Sequence, residues 1–410
     1  MSPRKPAVVF IFITLFLDIL GIGLIVPILP KLIEEFEGGD VENAARTYGF
    51  LAALYSAMQF VFAPLLGSLS DRVGRRPVIL VSLLGSGLDY LLLAIAPNLG
   101  WFVVGRLVAG LTGANYSAAT AYIADVTPPE KRAASFGLVG AAFGLGFIAG
   151  PAIGGMLGHH GLRVPFYAAA GVTFLNWLYG AFVLPESLKP ENRRPFSWKR
   201  ANPLGALIAL RRYPMVFDLA GVWFLLTLAH QVYPATWVLY TTYRFDWTVR
   251  ETGLSLALVG IMAAAVQGGL TRVIIPKFGE KKTVVFAIAV GIVEHTLFGS
   301  VTAGWLIYLI IVGGCFAGLA NPAAQGLISK TVAADEQGAV QGSLNSLASI
   351  AGIIGMPLMA SMFGYFISDR APAHLPGIAF FLSAALDGGA LLLTIRAFRR
   401  SRTESDARAF

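Results

Sequence analysis

Of the 410 residues, 56% are hydrophobic and 13% charged, and a mean hydropathy of +0.69 excludes a soluble globular protein of this size. Cys315 is the only cysteine, which excludes a disulfide framework. The net charge of +8 is spread over the breaks between apolar runs and forms no single face, which argues against a nucleic-acid partner.

Crossing a bilayer as helix takes about 20 apolar residues. Apolar runs divided by charged or Gly/Pro-rich breaks give twelve spans, near 7–29, 48–70, 77–96, 101–124, 134–158, 164–185, 214–241, 252–275, 283–301, 304–329, 337–366 and 375–398. The expected fold class is therefore all-α and integral to a membrane. Arg4 and Lys5 before the first run imitate a signal peptide, but the run is long and lacks a small-residue cleavage site, so it reads as an uncleaved helix. Arg72, Arg75, Arg76, Lys131, Arg132, Lys189, Arg193, Arg194, Lys199, Arg200, Arg211, Arg212, Lys277, Lys281, Lys282, Arg399 and Arg400 fall in alternate connections or in the tail on the same side. By the positive-inside rule that side and both termini are cytoplasmic. The acidic first loop, with Glu34, Glu35, Glu37, Asp40 and Glu42, lies on the opposite face.

In chain order, the first residue that the bilayer does not explain is Asp18, inside the first span. A carboxylate at the centre of a membrane helix costs roughly 2.5 to 3.5 kcal/mol on insertion scales, so it faces a cavity, a partner or a proton pathway. Asp89, Glu294 and Asp387 repeat the pattern. Each lies about 11 or 12 residues from its cytoplasmic end, roughly 16 to 18 Å deep. Burial favours the neutral carboxyl, so such groups hold a proton and release it when a cation or an arginine arrives. Asp387 has no motif around it and is the one best read as a structural, hydrogen-bonded acid.

Between spans two and three, Gly67, Asp71, Arg72, Gly74, Arg75, Arg76 and Pro77 combine a tight glycine turn with opposite charges that can pair. Asp125 ends the fourth span and is a further member of that network or an ordinary helix-end acid. Arg106 sits early in the fourth span, about 8 Å into the helix, and needs an anionic partner or must snorkel. In the fifth span Gly146, Gly150, Pro151, Gly154 and Gly155 give a small-residue face for close helix approach.

Residues 188–213 form the longest polar interruption and divide the chain into 1–187 and 214–410, with six spans each. Gly150-Pro151 and Ala109-Gly-Leu return half a chain later as Gly355-Met-Pro357 and Ala317-Gly-Leu. Parallel six-helix repeats place a transporter's substrate near midplane between the halves, so the acids are expected to share one chamber. Polar residues expected to line it are Gln59, Asn115, Gln231, Asn321, Gln325, Gln341 and Asn345, any of which can instead bond a neighbouring helix. Trp237 offers an aromatic face, as do Tyr90, Tyr116, Phe147 and Tyr240. His230 with Gln231 is a site candidate deep in the seventh span, whereas His295 sits about 100° round its helix from Glu294 and reads as structural. No phosphate loop, metal-ligand spacing or nucleophile arrangement points to an enzyme.

The run Gly67 to Pro77 resembles the cytoplasmic signature of the major facilitator superfamily, in which it acts as a gate latch, and Gly144 to Gly155 resembles the fifth-helix signature of its antiporters. Leu17-Asp18 through Pro27 and Pro30, Leu88-Asp89-Tyr, Gln59, Ala63-Pro64, Pro234-Ala-Thr-Trp237 and Glu336 to Gly342 further resemble the tetracycline-efflux branch of the drug:proton antiporters, over nearly the whole chain. That resemblance implies a monomer of two six-helix bundles in a bacterial inner membrane. It would export a tetracycline complexed to a divalent cation, commonly Mg2+, in exchange for a proton, with no permanent cofactor. Asp18, Asp89, Arg106 and Glu294 match its proton-coupling positions, Glu294 standing where aspartate is usual. The eighth span has Ala263 where the resemblance implies a histidine. Export of other drugs, proton-coupled uptake of a metabolite such as a sugar, and a non-transporting receptor on the same fold are the alternatives.

Overall fold

The computed structural model describes residues 8–113, 115–128, 132–196, 214–331 and 337–408. The positions named above at 4, 5, 131, 199, 200, 211, 212 and 336 lie outside these, as do the side chains of Asn115, Tyr116, Arg132 and Gln341. The first half contains α1 (Val8–Ile25), α2 (Leu29–Phe36), α3 (Val41–Val73), α4 (Arg75–Ile95), α5 (Leu99–Thr112), α6 (Asn115–Val126), α7 (Arg132–Gly158) and α8 (Val164–Phe182). The second contains α9 (Pro214–His230), α10 (Val232–Phe245), α11 (Val249–Ala265), α12 (Thr271–Phe278), α13 (Glu280–Ser300), α14 (Gly304–Gly314), α15 (Ala320–Thr331), α16 (Gln337–Ile367) and α17 (Ile378–Arg408).

Helix ends follow local chemistry. Asp40 caps α3 by accepting from the Asn43 N–H at 3.0 Å, and Asn98 caps α5 through the Gly100 N–H at 3.0 Å. Thr248 and Glu251 form a reciprocal capping box at the start of α11. Gly74, with φ 112°, turns α3 sharply into α4, a conformation costly for any residue with a Cβ.

Twelve crossings result, as the sequence implies, but several are not continuous. Among the described residues eight helical stretches are long and apolar enough to span a membrane, the first and tenth spans included; the others are α8 and the broken fourth, seventh and eighth crossings. The first span ends in a turn after Ile25 and resumes as the separate α2. The fourth breaks between α5 and α6, the seventh at Gln231, the eighth in a π-helical turn over Val266–Leu270, and the tenth in a 3-10 turn over Cys315–Leu319. Apolar runs do not reveal such breaks, because hydropathy stays high through them. In lipid, irregular backbone survives only where protein or a cavity satisfies it. Gln59 does this at the fourth span, donating to the Gly113 carbonyl at 3.0 Å.

Two apolar cores draw on the first half, one around Leu83 and Tyr122 and one around Ile28 and Phe102. Two more, around Leu219 with Ile288 and around Tyr240 with Phe380, draw on the second. The exceptions locate the seam: Ala45 and Val41 enter a second-half core and Val249 a first-half core. These residues begin α3 and α11, so these joins lie at one end of the molecule, the end carrying the acidic first loop. There a Cβ on Gly49 would lie 2.9 Å from that of Ala360, Tyr48 donates to the Pro234 carbonyl at 2.8 Å, and Gly155 abuts the Val249 carbonyl.

Candidate functional site

At the opposite end, the α3–α4 turn builds a compact charge network. Arg75 pairs with Asp71 at 2.6 Å and with Asp125 at 3.1 Å, and it donates to Ser70 Oγ at 2.7 Å. Asp125 is thus a member of the network. The carboxylate that organises the turn was not singled out from sequence: Glu186, beyond α8, accepts from the backbone N–H groups of Arg75 and Arg76 at 2.9 and 3.2 Å. It sits on the positive end of α4. Arg76 reaches the other way and donates to the terminal carbonyls of α8 at Gly180 and Ala181, while Arg72 is exposed. The bonds described here all join first-half residues. The one sequence hint of Glu186 is an acid directly behind the sixth apolar run.

Deeper in the first half, Asp89 is 1% exposed and its Oδ2 accepts from Arg106 at 2.8 Å. The anionic partner required by Arg106 is therefore Asp89, brought over because Gly105 has no Cβ to strike the carboxylate. The Arg106 guanidinium lies 5.8 Å from the Tyr55 ring centre. Asp18 is half-buried on α1 and, with Asp89, lies within electrostatic reach of Tyr55 and Tyr90. The Gln59 amide donates to the Tyr55 hydroxyl at 2.8 Å as well as to Gly113.

The second half encloses a cavity of about 260 Å³, walled by residues of α9, α10, α11, α13, α14, α15 and α17. Glu294, His295 and Asp387 line it beside Tyr233, Trp237 and Phe298. Trp237 is fixed by donating to Ser255 Oγ at 3.0 Å and packs edge-on against Phe298. Tyr233 is within hydrogen-bonding reach of Glu294. Gly314 faces the same carboxylate: a Cβ there would fall 2.6 Å from Glu294 Cγ.

Sequence expectations divide accordingly. Glu294, Trp237, Asn321 and His230 line the cavity, and so does Ala263. Gln231 does not: it stands at the break of the seventh span, packed against Gly352 and Gly355 of α16 near Ser56. Gln325 is exposed on α15 and also lies outside the lining. Of the four acids expected in one chamber, two line this cavity. Among the described residues, Asp18, Asp89 and Arg106 form a first-half group and Glu294 and Asp387 a second-half group, and only the latter lines this cavity. Helix rotation decides this, and a one-dimensional depth count carries no information about it.

The small-residue face of α7 lies against α1 and α11. A Cβ on Gly150 would come within 2.6 Å of Gly23 Cα, and one on Gly146 within 2.9 Å of Ile19 Cβ. Gly154 abuts Leu24, while Gly155 and the Pro151 carbonyl meet Val249 and Gly253 across the seam. This face therefore packs within one half and between halves at once.

Two helical bundles, crossings broken at depth and carboxylates buried within the membrane helices define a secondary transporter. The sequence profile of the Major Facilitator Superfamily matches residues 11–356, and the chain belongs to that superfamily, whose members are transporters and not enzymes. It is 41% identical to the class C tetracycline resistance protein of Escherichia coli, with 96% of each chain covered. It is 36% identical to the class H protein of Pasteurella multocida over 98% of each. Among solved structures, the human organic anion transporter MFSD10 superposes with a TM-score of 0.73 at 26% identity, covering 95% of this chain and 100% of that one.

Proposed function

We propose that this protein exports a tetracycline, carried as its complex with a divalent cation such as Mg2+, in exchange for protons. Halves 1–187 and 214–410, joined by the linker 188–213, would rock against each other in a bacterial inner membrane as a monomer with both termini cytoplasmic. The names of relatives at 36% and 41% identity over nearly the full length support the substrate class. The observation that carries the reading is Glu294, a carboxyl on the wall of a cavity faced by Tyr233, Trp237 and Phe298. Flat aromatic surfaces suit a planar ring system, and one acid serves either a proton or a cationic passenger. Occupancy by one excludes the other, which is what couples them. Asp18, Asp89 and Arg106 serve the same exchange from the first half, and the Arg75 network latches the inner gate.

Cys315 gives a direct test, because the sole cysteine lines this cavity. A tetracycline with Mg2+ should slow thiol labelling of the purified protein, and proteoliposomes should take up the drug against an imposed proton gradient. Unprotected Cys315 together with no proton-driven drug movement rejects the proposal. Ala263 favours a second reading: a methyl group, not an imidazole, faces the cavity there, and a broader range of drugs would be exported. The same assay run on a drug panel separates the two.

A further inference from the structure

One group on the cavity wall has no part in the exchange described above. His295 is 5% exposed and lies on the same helix as Glu294. Its Nδ1 lies 2.8 Å from Oδ2 of Asp387, which is itself 4% exposed on α17. Gly291, one turn earlier, makes the approach possible, since a Cβ there would stand 3.0 Å from the same carboxylate oxygen. With Nδ1 donating to Asp387, Nε2 is the remaining basic nitrogen. It is buried and has no hydrogen-bond partner among the described residues. A buried polar atom without a partner costs about 1 to 3 kcal/mol, so a helix-bundle interior does not keep one at random.

We propose that His295 and Asp387 form a second proton-loading site of this cavity, separate from Glu294. The carboxylate fixes the imidazole ring and its tautomer, as carboxylates do for working histidines, and Nε2 takes the proton. In the loaded form imidazolium and carboxylate are a neutral pair; in the unloaded form the pair carries one negative charge. A cationic passenger in the cavity disfavours the imidazolium and expels that proton. Asp387 from α17 and Tyr233 from α10, with ring centres 5.3 Å apart, face the ring, and the other titratable groups lining the same cavity are His230 from α9, Cys315 from the 3-10 turn and Glu294 on its own helix. Across the cavity Ala263 supplies no titratable group.

The chain has five histidines, so the ring signals of histidine-labelled protein in detergent are separable, and His295→Gln assigns the one that matters. We expect that signal to report proton uptake at Nε2 when the protein is acidified. In Asp387→Asn that response should be lost, because a buried imidazolium has lost its counter-charge. A His295 signal that is flat in the wild type, or that titrates identically in Asp387→Asn, overturns the proposal. A second readout is the number of protons released when a tetracycline with Mg2+ binds, followed with a pH dye. Counted per drug bound, it should fall on the order of twofold in His295→Gln, and unchanged release would overturn the proposal too. Failure of the wild type to bind any tetracycline sinks the export reading instead, and the ring titration, which needs no drug, still decides the dyad.

Discussion

Glycine stands opposite three of the acids held in the membrane: Gly105 against Asp89, Gly314 against Glu294 and Gly291 against Asp387. A carboxyl on a membrane helix must be enclosed by protein, and a neighbour without a Cβ lets the next helix close over it without displacing it. The consequence is sharp at Gly314, where a methyl group would overlap the Glu294 side chain at 2.6 Å from Cγ. We expect Gly314→Ala to keep the fold and lower proton-driven drug uptake about tenfold, the cost of roughly 1.4 kcal/mol of misplacement. Gly313→Ala, where the position has open space, is the control. Equal uptake in the two variants would show that Glu294 is not held by this contact.

Among elements, α3 with α16 and α7 with α11 make the seam between the halves. Both pairs meet closely at the end that carries the acidic first loop, where Gly49 meets Ala360 and Pro357. The Arg75 network at the other end joins only residues of the first half in the bonds described. This arrangement predicts that the halves part at the acidic-loop end when the carrier turns outward. In a Cys315→Ser background, Gly49→Cys with Ala360→Cys should cross-link under mild oxidant, since the two Cβ positions need to relax only from 2.9 Å to the roughly 3.8 Å of a disulfide. Uptake should stop on oxidation and return on reduction. Continued transport by fully cross-linked protein would mean that this seam does not open.

For the whole molecule, the energy source follows from charge counting. One proton entering for one monocation leaving is electroneutral and uses only the pH gradient, about 1.4 kcal/mol per unit. A second proton on His295 adds a net charge, and the membrane potential then contributes about 2.3 kcal/mol per 100 mV. Collapsing the pH gradient should therefore slow uptake in the wild type and in His295→Gln alike. Collapsing the potential alone should slow the wild type and leave His295→Gln unaffected. Equal sensitivity of both proteins to the potential would contradict a second coupled proton.

Twelve crossings, the two-bundle class and the positions of the intramembrane acids were all legible in one dimension, because each is a statement about water. An apolar run has nowhere to go but lipid, and a charge inside it has no solvent. Arg106 announced its need for an anion or a route to the surface in the same way, and Asp71 its ability to pair with a nearby arginine, whereas Asp125 read equally as a helix-end acid. The choice of partner was decided only by the fold. That Arg106 takes Asp89, that His295 takes Asp387, that Glu186 organises the α3–α4 turn, and that Gln59 and Gln231 stand at helix breaks all depend on how helices rotate and approach. Those rotations are set by packing among surfaces that are equally apolar all round, so hydropathy has no direction to report.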